Sequence, residues 1–257
     1  MRVGLLFPGE MGAVVGADVR GTVVWASEGR SAATRARATA FDDTGTVAEL
    51  AAHSDAILSV CPPAIAEDVA REVAGLGFGG LYVDANATSP ARMERIGGLL
   101  PRVVDGSIVA KLRLNLYLSG EPADVAAAAA LFAGDTVQPL PLPGGIGAAS
   151  ALKMAFAGWN KIGAVLEAQA YAVASAYGLE AELEREGVES RRIGRTAGRA
   201  WRWVAEMHEI GDTHAALGLD DGVARGAAAA LEAWAGHRDE IDIPVPTLLD
   251  ELRNRCR

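Results

Sequence analysis

The sequence predicts an α/β N-terminal domain built on a mostly parallel sheet, followed by an all-α C-terminal domain. Three observations carry this expectation. Up to about residue 140, short apolar runs alternate with helical stretches, the β-α-β-α order that makes a parallel sheet with helices on its faces. The strand-like runs are apolar almost throughout rather than alternating, as strands covered on both faces should be. Then "QPLPLPGGIG" (Gln138–Gly147) breaks the pattern with prolines and glycines that no helix crosses. Beyond it the chain reads as helix to its end. This places the expected boundary near 140–147, between a domain of residues 1–143 and one of residues 144–257.

Taken in order, the expected strands are Arg2–Phe7, Thr22–Ala26, Ala56–Val60, Gly80–Asp84, Val103–Ile108 and Asn115–Ser119. Between and after them fall helices at about Met11–Val19, Ala32–Thr39, Thr46–Ala52, Ile65–Ala74, Ser89–Leu99 and Pro122–Phe132. The second domain opens with a long helix, Ala148–Tyr177, stopped by Gly178. Shorter helices follow at about Glu180–Glu186, Ser190–Glu209, Thr213–Leu217, Gly222–Trp234 and Val245–Arg255, with Gly211 read as a stop between two of them.

Composition narrows the functions. Half of the 257 residues are hydrophobic, enough for a buried core. A net charge of −9, with no basic stretch interleaved with aromatics, argues against nucleic acid as a partner. No apolar run reaches the about 18 residues that a bilayer requires. Met1-Arg2 leads straight into a short apolar strand, so no signal peptide is expected. Two distant cysteines, Cys61 and Cys256, do not make a disulfide framework and fit a reducing cytoplasm. His53, His208, His214 and His237 lack metal-ligand spacing, so no metal site is expected.

"GLLFPGEMG" (Gly4–Gly12) follows the first strand and opens a helix. Gly9 and Gly12 match the second and third glycines of the G-x-G-x-x-G dinucleotide fingerprint. Of these, one lets backbone approach a pyrophosphate and the other lets helix and strand pack closely. The helix N-terminus adds free N–H groups and positive dipole. The first glycine is replaced by Phe7, so the turn is expected to run through an extended Phe7 and a fixed φ at Pro8. Two glycines alone leave an ordinary strand–turn–helix equally open. The second strand adds weight to nucleotide binding: it ends "VVWASEGRS" (Val23–Ser31). Ser27, Arg30 and Ser31 suit the 2′-phosphate of NADP(H), whereas Glu28 would be the acid for NAD(H). NADP(H) is the preferred reading. The expected cofactor contacts are Phe7, Pro8, Gly9, Glu10, Met11, Gly12, Ser27, Arg30 and Ser31. To these is added the strand end Val60, Cys61 and Pro62.

In the order "GEMG", "GRS", "VDANATSP" (Val83–Pro90) and "ALKMAFAGWNKIGAVLEA" (Ala151–Ala168), the chain resembles the 6-phosphogluconate dehydrogenase-like and β-hydroxyacid dehydrogenase superfamily. The spacing after Lys153-Met154 and the later "EMHEI" (Glu206–Ile210) resemble its small branch with a DUF1932-type C-terminal domain. The resemblance implies a Rossmann-type N-terminal domain, hydride exchange with a small hydroxy- or oxo-acid, and a catalytic lysine at Lys153. It implies that the loop carrying Asn86 meets the nicotinamide side of the cofactor. It also implies a substrate loop at "DGSIVAK" (Asp105–Lys111), where Asp105 matches but Val109-Ala110-Lys111 replaces the usual S-G-G. Ser107 or Lys111 would then meet a carboxylate. The asparagine usual four residues after the lysine is Ala157 here. These departures put the hydroxy-acid substrate in question and leave room for an imine reductase on the same fold.

Independently of that resemblance, lysine is rare here: the chain has only Lys111, Lys153 and Lys161. A lysine in the apolar stretch "SALKMAFAGWNK" can exchange a proton, which arginine cannot. Lys153 is therefore the expected general acid or base. Asn160 lies two helical turns on, about 10 Å at roughly 1.5 Å per residue, with Lys161 beside it. Both are expected to face substrate, and the resemblance implies the same for Asp105, Ser107 and His208. Glu206, His208 and Asp212 also read as a polar helix end, and a nucleophilic Cys61 has no base nearby in sequence. The leading expectation is an NADP(H)-dependent oxidoreductase, set against two alternatives: an imine reductase, or an NADP-binding protein without catalysis. Trp159, Trp201, Trp203 and Trp234 are expected in the core or at a homodimer contact through the helical domain.

Overall fold

The computed structural model describes residues 1–110, 113–240 and 242–254, and falls into two compact units, Met1–Lys153 and Met154–Arg257. The first unit holds an eight-stranded sheet. In chain order its strands are β1 (Arg2–Leu6), β2 (Thr22–Trp25), β3 (Asp42–Asp43), β4 (Ala56–Ser59), β5 (Leu81–Asp84), β6 (Val103–Ala110), β7 (Leu114–Gly120) and β8 (Val137–Pro141). In space the order is β3-β2-β1-β4-β5-β6-β7-β8, parallel except for the antiparallel β6–β7 pair. The helices between them are α1 (Glu10–Ala17), α2 (Ala32–Arg37), α3 (Val47–Ala52), α4 (Ala66–Gly75), α5 (Pro90–Gly97) and α6 (Pro122–Ala129).

The apolar strands are explained by two cores, one on each face of the sheet. Val3, Leu5, Leu58 and Val83 pack with Val15 of α1 and Val125 and Ala128 of α6. Leu6, Ile57 and Tyr82 pack with Leu50 of α3, Val69 and Val73 of α4 and Met93 and Ile96 of α5. Helices on both faces and a reversal of strand order at β1 and β4 make this a doubly wound sheet, a class of sheet in which ligands generally bind at the switch point.

Two strands escaped the sequence reading. β3 is a pair of exposed aspartates, too short and polar to signal a strand. β8 lies inside the stretch read as proline–glycine punctuation. Its Pro139 and Pro141 cannot donate to a ladder, and they are tolerated because β8 is an edge strand.

The second unit is helical: most of α7 (Ala148–Tyr177), then α8 (Glu180–Arg185), α9 (Ile193–Ala197), α10 (Ala200–Ala216), α11 (Gly222–Glu232) and α12 (Val245–Asn254). Its buried residues include Met207 and Ile210 of α10, Leu231 of α11 and Leu248 of α12. The indole of Trp234 is buried and donates to the Leu248 carbonyl at 2.9 Å. The expected stop at Gly211 is wrong: α10 runs through it. A Cβ there would lie 2.9 Å from Arg225 Cζ, so this glycine makes room for the Arg225 side chain. The break falls instead at Gly198, where a Cβ would lie 2.1 Å from the Glu240 carbonyl oxygen.

Candidate functional site

The C-terminal ends of the parallel strands bring the sequence-expected cofactor residues to one edge of the sheet. After β1 the chain turns sharply. Phe7 has φ 65°, the left-handed region that favours glycine, and not the extended backbone expected from the following proline. Its carbonyl accepts from Gly9 N–H at 2.7 Å, closing a three-residue turn around Pro8. The chain thus keeps the conformation of the missing glycine while carrying a side chain. Gly9 caps α1, and nothing lies within 4 Å of where its Cβ would stand. Gly12 is the opposite case: a Cβ there would be 2.4 Å from the Phe7 carbonyl oxygen. One glycine leaves open space in front of a helix N-terminus, and the other lets helix and turn meet. Glu10 and Met11 are exposed in the first turn of α1, and Pro8 is buried.

The loop after β2 reaches the same place. Gly29, at φ 69°, turns the chain so that Arg30 lies over Phe7, its Cζ 3.8 Å from the ring centroid. Arg30 Nε is buried without a hydrogen-bond partner. Burial lowers the pKa of Arg30, against the opposing pull of Glu72 and Cys61. Ser27 is buried, and its carbonyl accepts from Arg35 Nη2 at 2.8 Å. Ser31 caps α2, its Oγ accepting from Thr34 N–H at 3.2 Å. Glu28, the acid of the NAD reading, is exposed.

Beside β1, the ends of β4 and β5 are stitched together by Asn86. Its Oδ1 accepts from Cys61 N–H at 2.5 Å and its Nδ2 donates to Ser59 Oγ at 3.2 Å. Asn86 thereby fixes the path of Val60, Cys61 and Pro62. Burial, reinforced by Asp84, pushes the Cys61 thiol up to about 12, which removes it as a thiolate nucleophile. Beneath it the Asp84 carboxyl is pushed up to about 7, first by burial and then by Asp105 in the adjacent strand. Asp84 Oδ2 and the Tyr82 hydroxyl are buried without partners.

Asp105 corrects the sequence reading. It is fully buried, and its carboxylate accepts from Ser119 Oγ, Gly147 N–H, Ser150 N–H and Ser150 Oγ at 2.7 to 3.1 Å. Oδ2 accepts three of these bonds and Oδ1 one, so this buried side chain pins the start of α7 to β6. Ser107 is fully buried, its Oγ unpartnered. One turn along α7 from Ser150, Lys153 reaches back to β6 and donates from Nζ to the Ile108 carbonyl at 2.6 Å. Lys111 lies outside the described residues.

In the second unit the expected substrate residues are held by partners that sequence spacing did not reveal. Lys161 is buried and forms an ion pair with Glu206, its ammonium 5.1 Å from the Trp203 ring centroid. Burial lowers its pKa, and Glu206 opposes the shift. Asn160 Oδ1 accepts from Arg192 Nη2 at 2.8 Å. His208 is exposed and 3.3 Å from Arg225, which also pairs with Asp212 and Asp221. Glu206 and His208 therefore serve separate contacts. Ser59, Asp84, Ser150 and Arg192 were not anticipated. The contacts of Ser59, Ser150 and Arg192 become visible only when residues 27 to 45 positions apart are brought together. Among the described residues no cluster of His, Cys, Asp or Glu could hold a metal ion.

Known proteins share this architecture. Residues 168–234 match the family model described as "Domain of unknown function (DUF1932)". The 3-hydroxyisobutyrate dehydrogenase of Mycobacterium tuberculosis, solved with L-serine, superposes with a TM-score of 0.71 at 15% identity, over 98% of this chain and 99% of that one. The chain has the 3-hydroxyacid dehydrogenase fold. A similar fold is seen in an imine reductase from Myxococcus stipitatus in complex with NADP+, at 18% identity, 97% and 100% coverage and a TM-score of 0.60. A conserved protein of unknown function, described as structurally similar to 3-hydroxyacid dehydrogenases, matches at 22% identity, 100% and 98% coverage and a TM-score of 0.66. No curated protein matches the sequence. These solved structures show the fold over nearly the whole chain, and the DUF1932 match lies within its helical part.

Proposed function

We propose that this chain is an NADP(H)-dependent oxidoreductase acting on a small hydroxy or oxo substrate, with Lys153 as its proton-transfer residue. The observation that carries the reading is the turn after β1. Gly9 presents open space in front of the α1 N-terminus while the buried, unpartnered Arg30 Nε lies alongside. A pyrophosphate fits the first and a 2′-phosphate the second. The residues that would hold the dinucleotide are Phe7–Gly12, Ser27, Arg30, Ser31, the Val60–Pro62 backbone and Asn86. When bound, the nicotinamide supplies or accepts hydride. Lys153 would give the proton to a forming alcohol, or take it from one being oxidised.

The test is a fluorescence titration with NADPH and NADH. Arg30→Ala is expected to weaken NADPH binding by roughly ten- to a hundredfold, the worth of one or two charge-assisted hydrogen bonds, and to spare NADH. Equal affinity of the native protein for both cofactors overturns the 2′-phosphate reading. Lys153→Ala should abolish turnover without changing NADPH affinity; unchanged turnover overturns the role of Lys153.

A second reading, reduction of imines, is favoured by Val109 and Ala110, which stand where the resemblance implies a carboxylate-binding S-G-G. It is decided by assaying oxo-acids and cyclic imines side by side with NADPH. The helical unit also presents an exposed apolar stripe on α7, with Trp159 75%, Leu166 57%, Val173 64% and Tyr177 77% exposed. We take this stripe as the contact of a homodimer. Among the described residues no helix is long and apolar enough to cross a membrane. The free thiol of Cys61 suits a reducing cytoplasm.

A further inference from the structure

We propose that Phe7 is a positioning residue for Arg30, and through it a determinant of cofactor choice. The proposal rests on the reading of Arg30 as the 2′-phosphate ligand and adds a residue that no glycine fingerprint contains. Three observations support it. Phe7 holds a left-handed φ of 65°, a conformation unfavourable for any residue with a Cβ, which persists only where its surroundings enforce it. That turn sends the Phe7 carbonyl toward Gly12 and Gly9, while its ring lies 3.8 Å beneath the Arg30 guanidinium. Phe7 itself is half-buried against the core that contains Leu6 and Ala26, so the platform is anchored from below.

The chemistry favours an aromatic there. A guanidinium stacked on a ring spends its face on the ring and keeps its N–H donors in the plane, where a phosphate meets them edge-on. A salt bridge would instead spend those donors. In this structure the stack leaves Arg30 Nε buried and unpartnered. The nearby opposite charge, Glu72, acts on Arg30 only at a distance. A glycine at position 7 would make the same turn without strain but without a platform, and Arg30 would then have to be ordered at the moment of binding.

The experiment uses calorimetric titration of the full chain with NADPH and with NADH. The variants are Phe7→Gly, Phe7→Tyr, Arg30→Ala and the double variant Phe7→Gly/Arg30→Ala. Phe7→Gly relieves backbone strain, so a correctly folded protein is expected, checked by circular dichroism. We expect Phe7→Gly to raise the Kd for NADPH roughly tenfold more than the Kd for NADH, the worth of a desolvated cation–π contact. Phe7→Tyr, which keeps the ring face, should retain native NADPH affinity. The double variant should bind NADPH no more weakly than Arg30→Ala alone. Equal weakening toward both cofactors, no weakening of either, or additive losses in the double variant each overturn the platform role. If Arg30→Ala leaves the preference for NADPH intact, the 2′-phosphate reading itself falls and the platform with it. If Arg30→Ala discriminates and Phe7→Gly does not, only the platform falls.

Discussion

Asp84 sits fully buried at the end of β5 with one carboxylate oxygen unpartnered, and its neighbours Asp105, Tyr82 and Cys61 offer it no positive charge. Its pKa is raised from 3.8 to about 7, so the folded protein holds a proton that the unfolded chain releases. Stability from this group is complete below the unfolded value and is lost as pH rises toward about 7. Because each tenfold change in proton affinity is worth roughly 1.4 kcal/mol, Asp84→Asn should stabilise the protein by roughly 4 kcal/mol at pH 8 and much less at pH 4. Urea unfolding at the two pH values checks this; a uniform effect of the substitution at both would contradict it. Individual residues were the least legible scale of the sequence. Lys153 stood out because lysine is rare, and Gly9 and Gly12 because of their spacing. Phe7 and Asp105 did not reveal their roles. Proline-neighbour statistics pointed Phe7 toward extended backbone, and the Arg30 stack that accompanies its left-handed turn lies 23 residues away. Asp105 matched a substrate motif, yet its partners are Ser119, Gly147 and Ser150.

At the scale of elements, α7 is fastened at two places. Its start is pinned by Asp105, and its middle is tied to α10 by the Lys161–Glu206 pair. Asp105→Ala removes the acceptor from four buried donor groups and should cost roughly 3 kcal/mol, read as a fall in Tm of the first unit. Lys161→Met leaves the Glu206 carboxylate facing an apolar side chain and should cost roughly 3 kcal/mol. The double variant Lys161→Met/Glu206→Leu should recover most of that loss, because the desolvation cost of the pair disappears with it. Failure of the second change to restore Tm would show that the pair contributes net stability. Most elements were legible because apolar runs of four or more residues mark strands buried on both faces. β3 and β8 were not, since an edge position asks little of side chains and tolerates proline. Gly198 and Gly211 exchanged roles because sequence gives a glycine the same letter whether it ends a helix or admits a neighbour.

For the whole molecule, the exposed stripe on α7 sets an expectation about assembly. Trp159, Leu166 and Val173 recur every seven residues, so they share one side of the helix. An apolar line of this length on a monomer invites a partner. Sedimentation should report a dimer, and Trp159→Glu should shift it toward monomer without loss of helix; a native monomer would contradict the proposed contact. The mostly parallel sheet and the helical C-terminal region were legible in the sequence because both are set by the order of apolar runs. The turn after β1 carries a wider consequence. At position 7 this chain makes the tight turn of a glycine fingerprint by a torsion angle and not by a letter. A search for glycine at position 7 passes over any relative that makes the turn with a side chain clasped from above. A search for positive φ directly after the first strand, followed five residues later by a glycine seated against that carbonyl, would collect both kinds and could show how many such turns are lidded by an arginine.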